Sequence, residues 1–141
     1  MMNGSSRKPW LLVATVAGVL YFVIGYGSAA LDPSLPDRAR FTWRLAAWLS
    51  SGAVFAVHIW YERFRLAGSP LAIALHVAAA VALGAFLIAS AALVHATTVI
   101  AHAPYSQFLL ALVLWPLITA LPAFLVALVA SAVLAHLPRR T

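Results

Sequence analysis

From Leu66 to Pro138 the chain contains no Asp, Glu, Lys or Arg, and this stretch makes up about half of its 141 residues. In water it would expose far more apolar surface than a chain of this length can cover. The whole sequence is 65% hydrophobic and 9% charged, with a mean hydropathy of +0.99, whereas soluble domains are much more polar. The sequence therefore predicts a multi-pass integral membrane protein, most simply of a bacterial cytoplasmic membrane.

Charge and cysteine content exclude several classes of function. The sequence has no cysteine, which rules out disulfides, thiolate metal sites and iron–sulfur ligation. The formal net charge is +6 and the pI is near 10.9, but the basic residues lie beside the apolar segments instead of forming a patch of their own. Lipid headgroups are the counter-charge that this placement favours, so we expect the bilayer as a partner and no nucleic acid.

Four charge-poor segments have the roughly 20 residues that a helix needs to cross a hydrocarbon core of about 30 Å. Because they are continuous runs rich in Ala and Leu, they indicate helices and not the alternating strands of a barrel. The fold prediction is all-α: an integral membrane four-helix bundle with short loops, forming a single transmembrane domain over residues 1–141. The predicted helices are about 10–31, 41–61, 70–94 and 108–137, with a weakly polar linker over 95–107.

The first segment has a rival interpretation. A basic start, an apolar stretch and small residues at Ser28 and Ala30 also resemble a secretory signal with its cleavage site. The apolar stretch is long enough to span a membrane, however, and it contains Tyr21 and Tyr26. We therefore interpret it as a retained helix.

Orientation follows from the basic residues, since cytoplasmic loops collect Lys and Arg. With a cytoplasmic N-terminus, six of the nine basic residues lie inside, and Arg38, Arg40 and Arg44 lie outside. Aromatic rings at both predicted interfaces, including Trp10 inside and Trp43 outside, agree with this choice. The sequence predicts that both termini are cytoplasmic.

Histidines are the residues most able to carry chemistry. His58 and His76 fall in the same leaflet on consecutive helices, and Glu62 follows His58 by four residues, on the same helical face. Two such imidazoles could ligate a haem iron, and the two histidines with Glu62 could hold a transition metal. The simpler alternative is that the histidines are interfacial and that Arg63 and Arg65 neutralise Glu62. His95 and His102 form a second, weaker pair for metal binding or pH sensing.

Other polar and proline residues admit two interpretations each. The second helix carries a polar residue every seven positions along one side: Arg44, Ser51, His58 and Arg65. These side chains could make hydrogen bonds inside a bundle or form a polar path for a solute. Pro116 and Pro122 predict bends in the fourth helix, either for packing or as a broken helix with ion-binding carbonyls.

The sequence contains no catalytic signature, so it leaves enzymatic activity open and favours a non-enzymatic protein. The favoured function is a non-enzymatic accessory or scaffold subunit, or a small homo-oligomer, whose partners are other membrane subunits or itself. One alternative is an electron-transfer subunit that binds haem b or a metal through His58 and His76. Another is a channel or transporter for a small solute. No cofactor is predicted outside the haem alternative.

Overall fold

The computed structural model describes residues 9–99 and 105–136, and these residues form four long α-helices. Helix α1 spans Pro9–Leu31, and a short 3-10 turn, Asp32–Ser34, follows it. Helix α2 spans Asp37–Phe64, α3 spans Pro70–Val99 and α4 spans Tyr105–Ala135. Because short connections join α1 to α2 and α2 to α3, successive helices run in opposite directions. The protein is therefore all-α, as predicted.

Three of the helical segments are long and apolar enough to cross a membrane: Pro9–Ser34, Pro70–Val99 and Tyr105–Ala135. Helix α2 is not among them, since charged residues occupy both of its ends and its middle contains Trp, Ser and His. A membrane location is thus supported by three helices, and the predicted fourth crossing stays a prediction.

The predicted linker over 95–107 is wrong where the structure describes it. Helix α3 continues through His95 to Val99, and α4 already begins at Tyr105. The threonine hydroxyls do not end the helix because both donate to the carbonyl of Val94, Thr97 at 2.8 Å and Thr98 at 2.9 Å. Such back-bonding satisfies a polar side chain within a helix. His102 lies outside the described residues.

Helix α3 is the central helix, packed on one side against α1 and on another against α4. Its contact with α1 is close because two glycines face each other, with a Cβ built on Gly84 only 3.0 Å from the carbonyl oxygen of Gly18. Because neither glycine has a side chain, the two helix backbones can pack closely at this point.

Helix α2 packs mainly on α1 and has few contacts with α3 and α4. The end of the molecule where α1 and α3 begin and α2 and α4 end is called the terminal end below. A buried core of Ile59, Ile73, Ala74, Val77 and Ala127 joins α2, α3 and α4 near this end. The fold is therefore well packed at the terminal end, and α2 is less tightly held towards Asp32.

Both helix-breaking residues of α4, Pro116 and Pro122, lie inside one continuous helix. Thr119 donates its hydroxyl to the carbonyls of Trp115, at 2.9 Å, and Pro116, at 3.1 Å. These bonds keep the Thr119 hydroxyl satisfied within the helix, whereas the carbonyl oxygens that the prolines leave without a helical donor are those of Leu112 and Ile118, four residues earlier. The structure gives no support to a broken helix at this position.

Candidate functional site

Three ionisable side chains meet near the terminal end, and we call them the histidine–glutamate cluster: His58, Glu62 and His76. The Glu62 carboxylate lies between the two imidazoles. Its Oε2 is 2.8 Å from Nδ1 of His76, and its Oε1 is 3.6 Å from Nε2 of His58. The side chains of His58 and Glu62 are 1% exposed, and that of His76 is 20% exposed. The structure thus brings together all three residues of the predicted site.

Local folding explains why they meet. His58 and Glu62 lie one helical turn apart on the face of α2 that packs inward. A tight turn follows, in which Ala67 has a φ of 53° and the Gly68 N–H donates to the Glu62 carbonyl at 3.2 Å. Helix α3 then returns along α2, and its second turn carries His76 back to Glu62. The turn therefore sets the register that pairs the carboxylate with His76.

Contacts around the cluster involve all four helices. The Trp10 ring of α1 stacks on the His76 ring, with centroids 4.2 Å apart and planes 4° from parallel. Arg63, which is buried, donates from Nη2 to the Ala135 carbonyl near the end of α4 at 3.4 Å. Close by, the Ser131 hydroxyl donates to the Ala127 carbonyl of its own helix and lies 3.3 Å from the Pro70 carbonyl oxygen of α3. Polar contacts at the terminal end therefore link α4 to α2 and bring α4 close to the start of α3.

The interpretation that Arg63 and Arg65 neutralise Glu62 is wrong. Glu62 turns inward to the imidazoles, and Arg63 reaches α4 instead. The roles of Trp10 and Arg63 were missed by sequence reasoning, because an aromatic ring and an arginine at a helix end are typical of any membrane interface. His95 and His136 are both exposed.

Hydrogen bonding within the cluster is unequal. Nδ1 of His76 is paired with the carboxylate. Within the part of the chain that the structure describes, both ring nitrogens of His58, Oε1 of Glu62 and Nε of Arg63 are buried without a hydrogen-bond partner. A buried polar atom without a partner costs roughly 1–3 kcal/mol. The cluster is therefore a costly feature of the apolar interior.

The geometry bears on the cofactor hypotheses. Among residues 9–99 and 105–136, no group of three or more His, Cys, Asp or Glu side chains is arranged to hold a metal ion. Because Nδ1 of His76 is bonded to Glu62, a haem iron or metal ion bound by this ring would have to use Nε2. Metal or haem ligation by His58, Glu62 and His76 stays a prediction.

A second feature is an apolar cavity of about 760 Å³ between the half of α2 nearest Asp32 and α4, with α1 and α3 as its floor. Arg44 and Ser28 lie at the end of this cavity nearest Asp32, and Phe55 and Ala123 lie at its deep end. Ser51 lines the wall between them, in agreement with a polar stripe that faces inward. We call this space the α2–α4 cavity.

The core of Ile59, Ile73, Ala74, Val77 and Ala127 comes next along the helices beyond the deep end of the α2–α4 cavity. A solute crossing the protein from the cavity to the terminal end would have to pass through this packed apolar core. The channel alternative therefore gains no support from the polar stripe, and it stays a prediction.

Comparison with known proteins gives no relative: no protein family model, no curated protein and no solved structure matches this chain.

Proposed function

We propose that the protein is a non-enzymatic, multi-pass membrane protein that acts through helix–helix contact, as an accessory or scaffold subunit or as a homo-oligomer. The observation that carries the proposal is a row of exposed residues along α2, on the side opposite the α2–α4 cavity. We call this row the α2 seam. It consists of Thr42, Ala46, Leu49, Ala53, Ala56 and Trp60, all of them exposed.

The spacing of the α2 seam supports a contact with another helix. Its members alternate by four and three residues, which is the repeat that keeps one face of a helix against a partner helix. Three of the six are alanines, and small side chains let helix backbones approach closely within lipid. Leu49 and Trp60 are 66% and 50% exposed, so they add apolar surface that a partner would cover.

Helix α2 fits a fourth crossing in this proposal. Its 28 residues correspond to a length of about 42 Å at 1.5 Å per residue. Residues 45–61 carry no Asp, Glu, Lys or Arg, and the charged side chains lie towards the two ends. With four crossings in one domain, both termini lie on the same side, and the distribution of basic residues favours the cytoplasm for that side.

Single cysteines test this topology, because the sequence has none of its own. We expect cysteines replacing the exposed Ser34 and Ser106 to react with an impermeant maleimide in intact cells. A cysteine replacing the exposed Ser69, at the terminal end, should react only after the cells are opened. The reverse pattern of labelling would show that the orientation is wrong, and labelling of all three in intact cells would contradict four crossings.

The α2 seam is tested by the reactivity of a cysteine replacing Ala56 towards a lipid-soluble maleimide. If another helix covers the seam, labelling in native membranes should be several times slower than labelling of the same variant purified in detergent. A disulfide-linked dimer formed on mild oxidation in the membrane would identify the partner as a second copy of the chain.

The matched control is a cysteine replacing Val126, which lies on α4 and is 58% exposed. Its labelling should be equally fast in native membranes and in detergent, once corrected for reagent partitioning. If the Ala56 variant behaves like this control and forms no dimer, the α2 seam faces lipid and the proposed contact is wrong.

A further inference from the structure

We propose that the α2–α4 cavity binds one anionic phospholipid, with an acyl chain in the apolar part of the cavity and the phosphate at Arg44. The inference rests on the proposed membrane location, but not on the α2 seam. The two surfaces lie on opposite faces of α2, so either can fail while the other stands.

Size and lining fit the acyl chain. The cavity volume of about 760 Å³ lies within the range of roughly 300–1,000 Å³ that small-molecule sites occupy. Its walls are formed largely by apolar side chains, among them Trp48, Phe55, Trp115 and Ile118. A space of this kind beside lipid fills with hydrocarbon, because water would lose hydrogen bonds there without gaining others.

Charge at the mouth of the cavity favours an anion. Asp32 accepts hydrogen bonds from Nε of Arg44 at 3.0 Å and from Nη2 at 2.6 Å. Nε of Arg40 is 3.9 Å from the same carboxylate. Nη1 of Arg40 is 3.5 Å from Asp37, so these two carboxylates and two guanidinium groups balance, and Arg38 leaves residues 32–44 with a formal charge of +1.

Arg44 is well placed to supply the contact. Its bonds to Asp32 use one edge of the guanidinium, Nε and Nη2, so Nη1 lies on the other edge. The side chain is 64% exposed, and it lines the cavity. Arginine binds phosphate oxygens through charge-assisted hydrogen bonds. The pair with Asp32 holds the arginine in position for such a bond.

Aromatic residues place this end of α2 at the depth of lipid headgroups. Trp43 precedes Arg44 and donates from its indole nitrogen to the Ser28 carbonyl at 3.3 Å. Trp48, one turn further along, lines the cavity and is 79% exposed. Tryptophan is enriched where headgroups meet hydrocarbon, so a phosphate at Arg44 would place its acyl chain beside Trp48.

Quenching of tryptophan fluorescence tests the site, because Trp48 and Trp115 line the cavity. The purified full chain in dodecyl maltoside is titrated with phosphatidylglycerol or phosphatidylcholine carrying the same brominated acyl chains. We expect half-maximal quenching at an about fivefold lower concentration of phosphatidylglycerol, the effect of roughly one basic residue near an anionic headgroup. Equal titrations in the wild type would overturn the proposal.

Two charge variants locate the preference. In Arg44→Gln the two lipids should differ by less than about twofold, whereas Arg65→Gln, at the other end of α2, should keep the wild-type preference. Equal loss in both variants would show a general electrostatic effect and no site. An excess of inorganic phosphate should leave the quenching unchanged. If phosphate instead abolishes the quenching, the lipid headgroup binds without the acyl chain.

A third variant keeps the test decisive if Arg44→Gln does not fold. Gly52 lines the cavity, and a Cβ built on it meets nothing within 4 Å. Gly52→Leu should therefore leave the helical circular dichroism unchanged and weaken quenching by both lipids. Unchanged quenching in this variant would show that the acyl chain lies elsewhere.

Discussion

Replacing His76 with phenylalanine is expected to lower the free energy of unfolding by about 1–3 kcal/mol, the usual cost of leaving a buried polar group without its hydrogen-bond partner. Nδ1 of His76 lies 2.8 Å from the carboxylate of Glu62, whose side chain is 1% exposed. Phenylalanine keeps a ring against Trp10 but offers the carboxylate no hydrogen bond. The loss should be visible as a lower midpoint of denaturant unfolding in detergent micelles.

The matched control is His95→Phe, the same substitution at an exposed position of the same helix, for which we expect a change within about 0.5 kcal/mol. The double variant His76→Phe with Glu62→Leu should recover part of the lost stability, since it removes the unpaired carboxylate. Equal stability of the two single phenylalanine variants would show that Glu62 does not depend on His76.

Long apolar runs determine most of the fold and can be recognised from the sequence alone. A run such as that in α4 must satisfy its backbone internally in lipid, so it forms a helix whatever its neighbours are. Helix ends were less predictable. The polar side chains of His95, Thr97 and Thr98 indicate a linker after the apolar run. The threonine hydroxyls instead bond to the carbonyl of Val94, and α3 continues.

The candidate site was predictable only in part. The four-residue spacing of His58 and Glu62 and the antiparallel return of α3 were enough to bring His76 near them. The direction of Glu62 was not predictable, because the flanking arginines offered a plausible pairing at the surface. Whether Glu62 pairs with the imidazoles or with the arginines depends on packing between helices. Trp10 covers His76, and Arg63 bonds to α4 and not to Glu62. The α2–α4 cavity likewise results from how α2 packs, and no local sequence pattern encodes it.

The contact between α1 and α3 depends on the absence of side chains at its centre. A Cβ built on Gly84 lies 2.7 Å from the Cβ of Tyr21 and 3.0 Å from the carbonyl oxygen of Gly18. The second atom belongs to the backbone and the first is fixed to it, so neither can move aside by a change of rotamer. A methyl group at this position must push the two helices apart.

Gly84→Ala should therefore destabilise the protein by about 1–3 kcal/mol, the usual cost of overpacking a well-packed interior. Gly52→Ala is the matched control, since a Cβ there meets nothing within 4 Å. It should be neutral or stabilising, by at most about 1 kcal/mol, because alanine favours helix over glycine. In detergent, the thermal unfolding midpoint should be lower in Gly84→Ala and unchanged or higher in Gly52→Ala. If both variants are stabilised alike, α1 and α3 do not approach as closely as this contact requires.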